Sequence, residues 1–141
     1  MSTTADHAEG QQLAARLGLR AGQIVQELGY DDDVDAELRD SIESLTGNEL
    51  ADEDFEDVVD AVLLWWRDDD GDLVDALVDA LVSLGEGGVV WLLTPKAGRD
   101  GHVEPGDIGD AAPTAGLHPT SSISAGSEWS GTRLATRKSG R

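Results

Sequence analysis

The sequence has no cysteine, and only one phenylalanine, one tyrosine and one methionine among 141 residues. Without thiols there are no disulfides, thiolate metal sites or cysteine nucleophiles, and three scattered histidines leave little from which to build a zinc site. Basic residues are scarce too: 10 Lys and Arg stand against 29 Asp and Glu, giving a formal charge of −19. A surface this acidic repels phosphate backbones and anionic bilayers, so neither nucleic acid nor a membrane is the expected partner. No apolar run approaches membrane length, and Met1-Ser2-Thr3-Thr4-Ala5-Asp6-His7 lacks the basic region and apolar core of a signal peptide. A cytoplasmic location is expected. No linker composition interrupts the apolar segments, which implies one α/β domain over 10–136, a disordered tail over 1–9 and a basic tail over 137–141.

The stretch Gly85-Glu86-Gly87-Gly88-Val89-Val90-Trp91-Leu92-Leu93-Thr94-Pro95 organises the rest. It reads as a glycine-marked helix end followed by a buried central strand closed by proline. Before it, Leu73, Val74, Leu77, Val78, Leu81, Val82 and Leu84 make one apolar helical face, with Asp72, Asp75 and Asp79 on the other. Before that, Val58 to Trp66 is too continuously apolar for a one-sided strand. Strand, helix and strand in this order form a βαβ unit with a parallel pair.

Upstream, Leu13, Ala14 and Leu17 suggest a short helix ended by Gly18, and Gln23 to Leu28 a strand ending at Gly29. Asp31, Asp32 and Asp33 are expected to open a helix carrying Val34, Leu38, Ile42 and Leu45, because carboxylates there accept from free backbone N–H groups. Residues 48–57 read as an acidic loop with at most a marginal strand. Downstream, Pro105 sits in the first turn of a helix fading near Pro113, and Thr120 to Ala125 with Trp129 to Thr136 form an antiparallel hairpin. His102 and His118 are expected in solvated loops.

These spacings resemble a reduced Rossmann-like S-adenosylmethionine-dependent methyltransferase fold. In that fold a first strand closes on Glu-x-Gly-x-Gly-x-Gly, which Gly22-Gln23-Ile24-Val25-Gln26-Glu27-Leu28-Gly29 resembles, and a later strand follows paired glycines, as Leu84 to Leu93 does. The resemblance implies that the Val58 strand lies between the first strand and the Gly87 strand, with the final strand inserted beside Val89 to Leu93. More narrowly, from about Leu13 to Arg137 the chain is similar to an actinobacterial family, domain of unknown function 3052. The carrying stretches are Val25 to Asp33, Trp66 to Leu73, Trp91 to Lys96, Ser124-Ala125-Gly126 and Trp129 to Leu134. That family brings no activity with it.

The chain departs from the methyltransferase pattern at its cofactor turn. Asp31 and Asp33 stand where the next two glycines would fall, and their charge would crowd the cofactor carboxylate. The acidic ribose-binding residue that the fold places after its second strand has no evident provider, since no convincing strand lies between Gly29 and Val58. No cofactor is therefore expected.

Ligands of open parallel sheets bind beyond the carboxyl ends of the strands, where Asp31 to Asp33, Arg67 to Asp70 and Thr94-Pro95-Lys96 with Arg99 are expected to meet. Gly29, Asp31, Asp33, Asp68, Thr94 and Lys96 are the candidate ligand-binding residues there, with Lys96 or Arg99 as the counter-charge. The competing reading makes the aspartates helix caps and leaves Lys96 and Arg99 on a solvated loop. An EF-hand starting at Asp68 fails, because its sixth position is Leu73 and its twelfth Asp79. With no nucleophile elbow and no histidine partner, no catalytic residue and no metal ligand set is assigned. The sequence points to a non-enzymatic binding or regulatory protein for a basic protein partner or a small ligand. The alternative is a residual methyltransferase or other small-molecule enzyme using Asp31 and Asp68.

Overall fold

The computed structural model describes residues 13–126 and 128–136; both expected tails lie essentially outside them. Alternating apolar runs and amphipathic helices assemble one five-stranded sheet. Residues 13–16 form a helical turn, α1. After it come β1 (Val25–Leu28), α2 (Ala36–Thr46), β2 (Val59–Trp65), α3 (Leu73–Ala80), β3 (Leu84–Pro95), α4 (Pro105–Thr114), β4 (Leu117–Ser124) and β5 (Trp129–Thr136). The strand order is β1-β2-β3-β5-β4. β1, β2 and β3 run parallel, and β5 lies antiparallel between β3 and β4. β2 thus sits between β1 and β3, and the final strand sits beside Val89 to Leu93, as the methyltransferase resemblance implies.

Both sheet faces are covered, which explains why β2 and β3 lack polar alternation. Val62, Leu64, Trp66, Leu77, Ile108 and Leu134 form the core under α3 and α4. Leu17, Leu38, Ile42, Leu63, Trp65 and Trp91 form the other, under α1 and α2. Trp65 and Trp66 belong to opposite cores, as neighbours on a strand must. Each tryptophan of the second core has a partner for its indole N–H: Trp65 donates to Glu27 Oε2, Trp91 to the Leu17 carbonyl and Trp129 to the Asp33 carbonyl. Burying the ring while satisfying its one donor is what makes tryptophan usable there.

Several boundaries differ from expectation, among them β1, which opens at Val25 rather than Gln23, and β4, which opens at Leu117 rather than Thr120. α2 starts at Ala36, not at Asp31 to Asp33; its cap is Asp35, whose carboxylate accepts the Leu38 N–H at 2.9 Å. α3 is capped by Asp72, and it ends at Ala80 rather than at Gly85. Leu84 already belongs to β3 and pairs with Val59. From there to the Ala61–Val89 pair β2 advances two residues while β3 advances five, so Gly85 to Gly88 swell out of the ladder. A Cβ on Gly88 would stand 2.8 Å from the Asp60 carbonyl oxygen, and one on Gly85 2.8 Å from Val58 Cγ1. These glycines permit the close approach of two strands and do not stop a helix. Finally, His118 lies on β4 rather than in a loop, and His102 is half-buried, its Nδ1 2.9 Å from the Pro95 carbonyl.

Candidate functional site

At the carboxyl end of β1 the chain turns at Gly29, whose φ of 78° suits glycine. A Cβ at this position would overlap the carbonyl oxygen of Trp65, so the turn is pressed onto β2. The carbonyl of Gly29 is therefore aimed at the segment leaving β2, where Arg67 stands. Arg67 Nη1 donates to the Gly29 carbonyl at 2.8 Å. Its Nε donates to Asp33 Oδ2 at 3.0 Å and its Nη2 to Asp33 Oδ1, a bidentate pair. Asp70 Oδ2 accepts from the Arg67 backbone N–H at 3.0 Å and from Nη1 at 3.4 Å. The guanidinium carbon stands 5.3 Å from the centre of the Trp129 ring, which adds a cation–π contact.

Arg67 is thus the hub of the strand ends, its side chain only 12% exposed beside an Asp33 that is 47% exposed. Burial works against its charge, but the hydrogen bonds and charges of Asp33 and Asp70 outweigh that and hold its pKa above the ordinary guanidinium value. The hydrogen bonds from Arg67 hold the Asp33 carboxyl below the usual carboxylate range, with partial burial opposing and the guanidinium charge reinforcing.

A second arginine closes the turn from beneath. Arg39 on α2 donates from Nε to Glu27 Oε2 at 2.7 Å and from Nη2 to Oε1 at 3.0 Å. Glu27 Oε2 also accepts from Trp65 Nε1 at 2.9 Å. Arg39 further stacks 4.8 Å from the centre of the Tyr30 ring, and its hydrogen bond to Glu27 raises its pKa. The acidic residue and the glycine of the Glu-x-Gly turn are both engaged by arginines of the same chain.

Of the candidate residues, Gly29 and Asp33 meet at Arg67. Asp31 closes a local turn with its backbone carbonyl, which accepts the Val34 N–H at 3.3 Å, while its carboxylate accepts the Asp32 N–H. Asp68 is exposed, with its backbone N–H donated to the Gly101 carbonyl. Thr94 is 3% exposed within β3, and Lys96 uses its backbone N–H on the Glu128 carbonyl. Among the described residues no hydrogen bond or ion pair links Asp68, Thr94 or Lys96 to the Gly29 turn. Arg67 is the counter-charge in direct contact with the cluster, and the expected Arg99 adds a weaker charge effect on Asp33 while pairing with Glu128 at 3.1 Å. Among the described residues, no three His, Asp or Glu side chains converge as a metal site requires.

The outer edge of β1 carries the marginal strand allowed for residues 48–57, reduced to a single residue. Ala51 bridges Gln26 in parallel, accepting from the Glu27 N–H at 2.7 Å and donating to the Val25 carbonyl at 2.9 Å. This is a one-residue remnant where a second strand would run, and Asp52, Glu53 and Asp54 come directly after it.

Among solved structures, a SAM dependent methyltransferase from Aquifex aeolicus superposes with a TM-score of 0.58 at 13% identity, covering 91% of this chain and 89% of that one. The pyocyanin biosynthetic protein PhzM superposes with a TM-score of 0.62 at 13% identity over 91% of this chain, which spans about half (54%) of its length. At such identities the likeness shows a Rossmann-like methyltransferase fold and nothing of activity. Two relatives, "Uncharacterized protein Rv2239c" of Mycobacterium tuberculosis and "Uncharacterized protein Mb2263c" of Mycobacterium bovis, are each 54% identical over 135 residues, 96% of this chain and 84% of theirs. Residues 14–138 match the model described as "Protein of unknown function (DUF3052)", and with that match the chain belongs to the DUF3052 family.

Proposed function

We propose that this chain is a non-catalytic binding or regulatory protein built on a methyltransferase-like scaffold. One observation carries the reading: the Arg67 guanidinium takes up the Gly29 carbonyl and is held against the turn by Gly29, Asp33 and Asp70. A cofactor that needed this turn would compete with a largely buried, multiply bonded cation and lie against the carboxylates of Asp31 and Asp33. Breaking charge-assisted hydrogen bonds without replacing them costs about 1.5–3 kcal/mol each. A ligand gains nothing there that the chain does not already supply.

A second reading is a residual S-adenosylmethionine-dependent methyltransferase, or another small-molecule enzyme using Asp31 and Asp68. It is favoured by the Ala51 bridge, after which Asp52 to Asp54 stand where an acidic ribose contact would be placed. Titrating S-adenosylmethionine and S-adenosylhomocysteine into isotope-labelled protein separates the two. The non-catalytic reading expects unchanged backbone amide shifts at millimolar ligand. Saturable shifts localised to Gly29 to Asp33 and Thr94 to Lys96 would overturn it and revive the methyltransferase.

A further inference from the structure

Among the described residues, four large hydrophobic side chains are exposed, and three of them, Tyr30 at 59%, Val58 at 69% and Val82 at 80%, line one groove. The groove lies over β1 and β2 on the α3 side. Leu28 and Leu64, paired in register, are its floor. One wall is residues 53–58, tied to β1 by Gln26 Nε2, which donates to the carbonyls of Asp52 and Phe55. The other wall is Ala76 and Asp79 of α3 and the Val82 to Leu84 segment after it. The groove is open to solvent along its length and holds about 1180 Å³. That exceeds the roughly 300–1,000 Å³ of small-molecule pockets and suits a peptide segment laid lengthwise.

The rim identifies the occupant. Asp31, Glu53, Asp54, Glu56, Asp57 and Asp79 line the groove, and none of them is in an ion pair among the described residues. The cation among the lining residues, Arg67, is already committed to Asp33 and Asp70. An apolar floor inside an anionic rim is complementary to a helix with one apolar and one basic face, and it repels a second copy of so acidic a chain. We infer that this groove docks a cationic amphipathic helix of a partner protein. The inference rests on the non-catalytic reading of the turn, whose Gly29, Tyr30, Asp31 and Arg67 line one end of the groove, and names the partner chemistry that reading lacks.

The test uses the full chain, isotope-labelled, and an amphipathic Leu/Lys peptide of about 16 residues, compared with its scrambled isomer. Docking predicts saturable amide shifts at Tyr30, Val58 and Val82, affinity about tenfold above the scrambled peptide, and a further loss of about tenfold between roughly 0.05 and 0.3 M salt. Val82→Glu, at an exposed position, should weaken binding about tenfold, whereas Val78→Glu, outside the groove, should not. Equal binding of the scrambled peptide, shifts spread over the acidic surface, or tighter binding by Val82→Glu would each overturn the inference. So would the same localised shifts produced by spermine, or by deletion of residues 137–141 with no peptide bound to the full chain. These failures leave the non-catalytic reading standing; only shifts induced by S-adenosylmethionine at Gly29 to Asp33 remove it.

Discussion

Glu27 of β1 and Arg39 of α2 meet in a bidentate pair, and the same carboxylate takes the indole proton of Trp65. The pair joins strand, helix and tryptophan core at one point, with Glu27 buried and Arg39 partly exposed. Removing one partner strands the other. Arg39→Ala is expected to cost about 2–4 kcal/mol in urea unfolding, mostly from the uncompensated Glu27 charge. Trp65→Phe keeps a ring but removes the donor and part of the packing, at about 1–2 kcal/mol. A change in Arg39→Ala within about 0.5 kcal/mol of zero would show that the pair contributes nothing net.

Arg67 depends on planar geometry as well as charge. Lysine keeps the charge but cannot serve Asp33 through two parallel donors while also reaching the Gly29 carbonyl. Arg67→Lys should therefore recover less than half of the stability lost in Arg67→Ala, itself expected at about 2–3 kcal/mol. Equal stability of Lys and Arg at this position in denaturant titrations would reduce the contact to simple charge pairing.

Asp33 gives the pair a pH signature. Its folded-state pKa lies below the ordinary 3.8, so the folded protein binds this proton less readily than the unfolded chain. The contribution is complete above the unfolded value and fades as pH falls through the lower, folded value. The stability gap between the parent and Asp33→Asn should be constant through the neutral range and narrow only below 3.8. A gap that narrows between neutrality and mild acidity would assign the effect to another group.

Gly29 and Gly18 have nearly the same φ, 78° and 79°, but different surroundings. At Gly18 an added Cβ meets nothing within 4 Å, whereas at Gly29 it overlaps the Trp65 carbonyl. Gly18→Ala should cost about 1 kcal/mol from backbone conformation alone. Gly29→Ala should cost about 3 kcal/mol or more, because backbone must move. Comparable melting temperatures for the two variants would contradict the tight seating of the turn on β2.

Much of this fold is legible in the chain. The unbroken apolar runs of β2 and β3 mark strands covered on both faces, and Gly29 and Pro105 punctuate their elements where expected. The end of α3 is not legible, because Leu81, Val82 and Leu84 continue its helical spacing. Val82 is apolar yet exposed, and periodicity cannot distinguish a groove-facing side chain from a core one. At the site, Arg67 to Asp70 and Asp31 to Asp33 meet at the strand ends as expected, through the parallel pairing of β1 with β2; that Arg67 takes the central place there is not legible, because an arginine followed by Asp68, Asp69 and Asp70 also suits a solvated turn. A signal for the Glu27–Arg39 pair is present in the chain: a carboxylate inside an apolar strand needs a cation from the element packed on it. Thr94 and Lys96 stand at the end of their strand as expected, but their neighbours are β5 and Glu128 rather than the turn.

The central claim is that Arg67 is held in place as an internal occupant of the strand-end turn. The most direct measurement is the nitrogen-resolved proton spectrum of arginine-labelled protein at neutral pH, with and without S-adenosylhomocysteine. A fixed Arg67 predicts a slowly exchanging Nε–H, a cross-peak from it to the Trp129 ring, and no change on adding the ligand. A rapidly exchanging Nε–H with no contact to Trp129, or a signal displaced by the ligand, would contradict the claim.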